Sequence, residues 1–179
     1  MEEERALVEA LRAEAPGAFE RAYAAHHRRL YGFLFRLSRR RDVADDLFQE
    51  TWLRLKKNAQ KLLPDTRLLP WLLTVARNLH VSHVRWRLLD MSRFFEEDEA
   101  AHPPSPEGAA EAREELAAME AALGRISTGA RELLLLVSIR ELEPTEIQAM
   151  LGLGPEAYRQ RLSRARRELK DELSSPRKP

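Results

Sequence analysis

The sequence of 179 residues contains no cysteine. This absence removes disulfides, thiolate metal ligands and cysteine nucleophiles together, and it suits a reducing compartment, with the cytoplasm as the expected location. No uninterrupted apolar run approaches the roughly 20 residues that a membrane-crossing helix needs. The opening MEEERALVEAL is acidic and amphipathic rather than basic and then apolar, so neither export nor membrane insertion is expected. Period-two alternation is missing as well, and apolar residues instead recur at three and four spacing almost everywhere, which predicts an all-α protein. No glycine-rich phosphate loop and no Ser/His/Asp arrangement can be found, so the chain is not expected to be an enzyme or to need a cofactor.

What is present begins with charge. The net charge of +1 conceals strong blocks. Residues 21–41 hold seven arginines (Arg21, Arg28, Arg29, Arg36, Arg39, Arg40, Arg41) and no acid, whereas 94–120 hold nine acids against Arg113 alone. The stretch Arg159 to Lys170 is basic again. Two basic blocks around an acidic middle favour a polyanionic partner over an ordinary mixed surface. With 44% hydrophobic residues the chain can fold as one ordinary domain or two small helical ones. The break is EEDEAAHPPSPEG, 96–108, where three prolines and a glycine follow an acid run that cannot build a core. The expected organisation is therefore a helical domain over 1–92, a flexible acidic linker over 93–111, a smaller helical domain over 112–173 and a disordered tail over 174–179.

In ELEPTEIQAMLGLGPEAYRQRLSRARRELKDEL, Pro144 suits the first turn of a short helix, where its missing N–H would be unpaired anyway. That helix is expected to stop at Gly152, which can adopt the left-handed conformation, and a second helix to open at Pro155. Helix, short glycine turn, helix is the helix-turn-helix layout. At 100° per residue, Tyr158, Leu162, Ala165 and Leu169 share the core face of the second helix. Glu156, Gln160, Ser163, Arg164 and Arg167 lie opposite, with groups suited to base edges. Arg159, Arg161 and Arg166 flank them, where backbone phosphates would run.

ADDLFQETWLRLKK, 44–57, predicts another amphipathic helix, with Leu47, Phe48, Thr51, Trp52 and Leu55 inward and Asp46, Gln49, Glu50 and Lys57 outward. Leu53 falls in the middle of the polar face. A leucine ringed by acids is the pattern of a protein contact, an apolar anchor with a polar rim. In the helix after Pro70, Trp71, Leu72, Val75, Leu79 and Trp86 are expected to form the buried stripe, while Thr74, Asn78, Val81 and Arg85 line a face suited to nucleic acid. The five histidines are read as surface or edge residues. DDLFQE also matches the spacing of a magnesium-binding aspartate motif of isoprenoid synthases, and His80 with His83 could ligate a metal. A second, facing carboxylate motif is missing, so no metal site is expected.

The order DVADDLFQETWLRL, PWLLTVARNLHVSHVR, acidic linker, ELEPTEIQAMLGL and RQRLSRARRELKDEL resembles bacterial RNA polymerase sigma factors of the extracytoplasmic-function (ECF) group, the compact members with regions 2 and 4 only. The resemblance covers nearly the whole chain. It implies that the acidic helix docks on the clamp helices of the largest catalytic subunit of core RNA polymerase through Asp45, Asp46, Gln49, Glu50 and Leu53. It implies contact with the promoter −10 element through Arg67, Thr74, Arg77, Asn78, Val81 and Arg85, with the segment Lys61 to Leu69 holding a base flipped from the opening duplex. The −35 reader would be the last helix, through Glu156, Arg159, Gln160, Arg161, Ser163, Arg164, Arg166 and Arg167. An anti-sigma factor is the further implied partner. The chain departs from the family pattern at Arg41, Ser82, Gly124, Ala157 and Tyr158. The alternative is a helix-turn-helix regulator that works without polymerase, and such a protein would not require the acidic helix with Leu53 outward.

Overall fold

The structure, a computed structural model, describes residues 2–89 and 110–174. These residues form eight α-helices and a single 3-10 turn, with no strand among them, as the three and four spacing predicts. The chain divides into two compact units, Met1–Glu99 and Ala100–Pro179. The expected linker, 93–111, lies outside the described residues apart from its last two, which open a helix; of the tail only Ser174 is described.

The first unit contains α1 (Glu2–Arg12), α2 (Ala18–Ser38), α3 (Arg41–Asn58), the 3-10 turn Ala59–Lys61 and α4 (Leu68–Leu89). Helices α2, α3 and α4 pack pairwise, and α1 lies against α2 and the 3-10 turn. Leu30, Leu34 and Leu37 of α2 are sealed from solvent together with Leu55 of α3 and Leu68, Leu72 and Leu73 of α4. Each such leucine contributes about 1.5–3 kcal/mol of transfer free energy. Thr51 is sealed among them, and its hydroxyl donates to the Leu47 carbonyl at 2.7 Å, so this buried hydroxyl is satisfied within its own helix. An aromatic seam joins α2 to α3, with Trp52 set 5.6 Å from Phe19, 5.0 Å from Tyr23 and 6.1 Å from Phe48 between ring centroids.

Helix α2 stops because Arg39 turns left-handed, at φ 58°, and sends its N–H back to the Phe35 carbonyl at 2.9 Å. Arginine in this region costs about 1 kcal/mol or more. Helix α3 then starts at Arg41, ahead of the stretch 44–57 whose pattern predicts it. Its first-turn carboxylate, Asp42, receives the Arg40 guanidinium at 3.1 Å, and that hydrogen bond holds Asp42 below the usual carboxylate range.

Helix α4 corrects two sequence expectations. Its buried stripe is Leu69, Leu72, Leu73, Ala76 and His80, while Trp71, Val75 and Leu79 are half-buried and Trp86 is 57% exposed. The run 68–79 is apolar nearly all round, so periodicity offers two competing stripes. Packing against α2 and α3 selects the one that continues into alanine and histidine. His80, at 6% exposure, is accordingly a core residue rather than a surface or edge one. His83, half-buried one turn on, is kept below the ordinary histidine range by burial and by the cations Arg87 and Arg40, against the opposing pull of Asp42 and Asp46.

The second unit contains α5 (Ala110–Arg125), α6 (Thr128–Ser138), α7 (Pro144–Leu151) and α8 (Pro155–Ser174). Leu133 and Leu136 of α6 and Ile147 of α7 anchor its core with Tyr158 and Ala165 of α8. Pro144 opens α7, and Glu143 and Glu146 cap each other's backbone, with the Glu143 N–H donating to Glu146 Oε2 at 2.8 Å. Gly152 ends α7 at φ 62°, a conformation that strains any side-chain-bearing residue. The helix-turn-helix layout is therefore formed where its sequence signature stands.

Candidate functional site

On α3 the inward face is occupied by Val43, Leu47, Thr51, Trp52 and Leu55. Asp46 and Gln49 are exposed on the other face, Glu50 is half-buried beside the Arg54 guanidinium at 2.9 Å, and Leu53 stands among them at 49% exposure. The structure thus brings Asp46, Gln49, Glu50 and Leu53 onto one patch. Asp45 is set apart from it, about 100° around the helix from Asp46. Its carboxylate accepts the Tyr31 hydroxyl at 2.8 Å, across to α2. The Tyr31 hydroxyl is raised above its ordinary range by burial and by this same contact with Asp45.

On α4, Asn78, Val81 and Arg85 are exposed along one side, with Thr74 and Arg77 half-buried beside them. The Thr74 hydroxyl donates to the Pro70 carbonyl at 2.8 Å, and Arg77 reaches Asn78 Oδ1 at 3.4 Å. Arg67 lies just ahead of the helix, half-buried in the loop between the 3-10 turn and α4. This loop carries the exposed Leu63.

On α8 every anticipated contact residue is exposed: Glu156, Arg159, Gln160, Arg161, Ser163, Arg164, Arg166 and Arg167. Arg159, Gln160, Ser163, Arg164 and Arg167 line one shallow concavity, so Arg159 joins the outward face instead of only flanking it. Glu156 does not line it. Glu156 is paired with Arg159 and accepts from Gln160 at 3.0 Å, and these hydrogen bonds hold it below the usual carboxylate range.

Three residues that hold these surfaces in place carry no local sequence signal. Glu168 of α8 accepts from the Ser127 hydroxyl at 2.9 Å and from the Ser127 N–H at 3.3 Å, at the cap of α6. Arg131, buried in α6, donates to the carbonyls of Leu123, Gly124 and Ile126 at 2.8, 3.1 and 3.3 Å and so closes the end of α5. Glu4 of α1 accepts from the Leu68 N–H at 3.0 Å, at the first residue of α4. Each partner lies too far along the chain, or in too ordinary a context, for a motif to reveal it. Among the described residues no three His, Asp or Glu side chains gather into a metal-holding group. No helix among them is long and apolar enough to cross a membrane.

Comparison with known proteins decides what this arrangement belongs to. Residues 22–87, which include the acidic α3 patch and the α4 face, match the family model Sigma-70 region 2. The chain is 30% identical over 166 residues to the RNA polymerase sigma factor CarQ of Myxococcus xanthus, covering 93% of this chain and 95% of that protein. It is 32% identical over 142 residues to the ECF RNA polymerase sigma factor EcfG of Rhodopseudomonas palustris, covering 78% of this chain and 76% of that one. The chain belongs to the ECF RNA polymerase sigma factors. A solved structure of the sigma factor RpoE from Bartonella quintana, in complex with the anti-sigma factor NepR, superimposes with a TM-score of 0.75 at 26% identity, over 90% of this chain and 99% of that one. As a sigma factor, the protein serves transcription initiation and is a non-enzymatic regulator of transcription.

Proposed function

We propose that this sigma factor binds core RNA polymerase through the α3 patch, with Leu53 as anchor and Asp46, Gln49 and Glu50 as rim, docking on the clamp helices of the largest catalytic subunit. Region 2, residues 1–92, then carries −10 recognition. Asn78 and Arg85 meet the opening strand, and the segment 61–69 receives a flipped base. Region 4, residues 112–173, presents α8 to −35. Gln160, Ser163, Arg164 and Arg167 face the base edges, and Arg159, Arg161 and Arg166 hold phosphates, Arg159 from the rim of the same concavity. Polymerase supplies the catalysis. An anti-sigma factor is the second protein partner, by similarity to the Bartonella quintana complex.

The observation that carries this reading is Leu53, exposed at 49% inside a polar patch on a helix whose opposite face is sealed. A regulator acting by its helix-turn-helix alone has no use for that feature, and the family match of residues 22–87 lies outside the helix-turn-helix. The test is reconstitution. The protein should comigrate with core polymerase and direct it to defined start sites on genomic DNA. Duplex binding without comigration would refute the reading in favour of the polymerase-independent regulator.

A further inference from the structure

The proposed base-holding segment, 61–69, is bracketed by one helix from elsewhere in the chain. Just before it, Gln60 donates through its side-chain nitrogen to Glu14 Oε1 at 2.7 Å. Within its last turn, the Leu68 N–H donates to Glu4 Oε1 at 3.0 Å. Glu4 sits in the first turn of α1 and Glu14 two residues past its end, so the two carboxylates are separated by about 15 Å of nearly rigid backbone. The helix is fixed in turn, since Val8 and Leu11 are buried and α1 rests on the 3-10 turn. At the Glu4 bracket lies a cleft lined by Glu2, Glu4 and Arg5 of α1 and by loop residues 64–67.

The Leu68 N–H is one of the first-turn donors that a helix cannot satisfy internally. Glu4 supplies a charged acceptor for it from 64 positions away. A loop whose far end is capped by another element cannot drift without breaking that cap. We propose that α1 is a brace for base capture and that Glu4 is a positioning residue, holding the loop in the conformation that accepts an unpaired base. This inference rests on the −10 role proposed above.

The experiment uses holoenzyme reconstituted with full-length chain and a single-stranded non-template −10 oligonucleotide, with a scrambled oligonucleotide as control. Core affinity and binding to a −35 duplex are measured in parallel. Glu4→Ala should weaken the −10 oligonucleotide about fivefold, the factor equivalent to about 1 kcal/mol of lost cap, with core and −35 affinities unchanged. Glu4→Gln retains an oxygen acceptor for the Leu68 N–H and should restore binding to within about twofold. Equal weakening by Ala and Gln, or oligonucleotide affinity unchanged in Glu4→Ala, overturns the proposal. If Glu4→Ala loses helicity, Gln60→Ala decides: it releases the other bracket and should weaken the same oligonucleotide selectively, and normal binding overturns the brace. Failure of the underlying −10 role looks different, because the wild-type holoenzyme would then not distinguish the −10 oligonucleotide from the scrambled one.

Discussion

Replacing Leu53 and Asp46 together by alanine tests the polymerase contact, and its size follows from exposure. Full burial of a leucine contributes about 1.5–3 kcal/mol. Leu53 is still 49% exposed in the free chain, so a partner that covers it recovers about half of that. A charge-assisted hydrogen bond at Asp46 adds about 1.5 kcal/mol. Together the pair should weaken core binding by about 2–3 kcal/mol, or about 30- to 150-fold in Kd. The fold should lose only about 1 kcal/mol, since Leu53 is no more than half-packed within the chain. Leu55→Ala supplies the contrast. Two residues along the same helix, Leu55 is fully sealed, and its truncation should cost about 2–5 kcal/mol of stability while leaving the docking surface intact. Titration of core polymerase and urea unfolding, each on both variants, give the four numbers. Unchanged core affinity in a fully helical Leu53/Asp46 double variant, or equal effects of the two variants on binding, would refute the assignment of this patch.

Gln160→Ala and Arg164→Ala should each cost about 1–3 kcal/mol and relax preference at one −35 position. Arg166→Ala should weaken all sequences alike and lower the salt slope by about 1. A panel of −35 variants at several salt concentrations separates the two, and an exchange of these behaviours would mean that α8 is wrongly oriented in the groove. Arg131→Met should destabilise the second unit by about 2–3 kcal/mol, because three carbonyls at the end of α5 lose a shared cationic donor; thermal unfolding measures it, and an unchanged Tm would contradict the capping role. His83 has a lowered folded-state pKa, from burial first and then from Arg87 and Arg40. The unfolded chain therefore takes up its proton first. Stability should be fully present above the unfolded histidine value of about 6.5 and should decline as pH falls below it. His83→Gln should flatten that decline in urea titrations at stepped pH, and an identical pH profile in the variant would rule His83 out as its source.

Local pattern and residue chemistry determined a great deal by themselves. The three and four spacing specified helices throughout. Pro144, Gly152 and Pro155 marked the boundaries of α7 and α8, because proline at a first turn and a left-handed glycine at an end are backbone requirements that any tertiary setting must respect. The outward position of Leu53 was equally legible, since a helix with one unambiguous apolar face leaves no choice about the other. Where the pattern was degenerate, only packing decided. Helix α4 offers two competing apolar stripes over its first turns, so its buried stripe depended on how α2 and α3 approach it, and they took His80 inside and left Trp86 out. The acidic pair at 45 and 46 is separated by the helix step itself, about 100°, but that Asp45 has the Tyr31 hydroxyl of α2 as its partner was decided by packing. The contacts of Glu4 with Leu68, Arg131 with the end of α5 and Glu168 with Ser127 join residues whose own neighbourhoods are unremarkable. A backbone donor or carbonyl left over at a helix end can be satisfied by any side chain that the fold brings near, and only the fold determines which one that is.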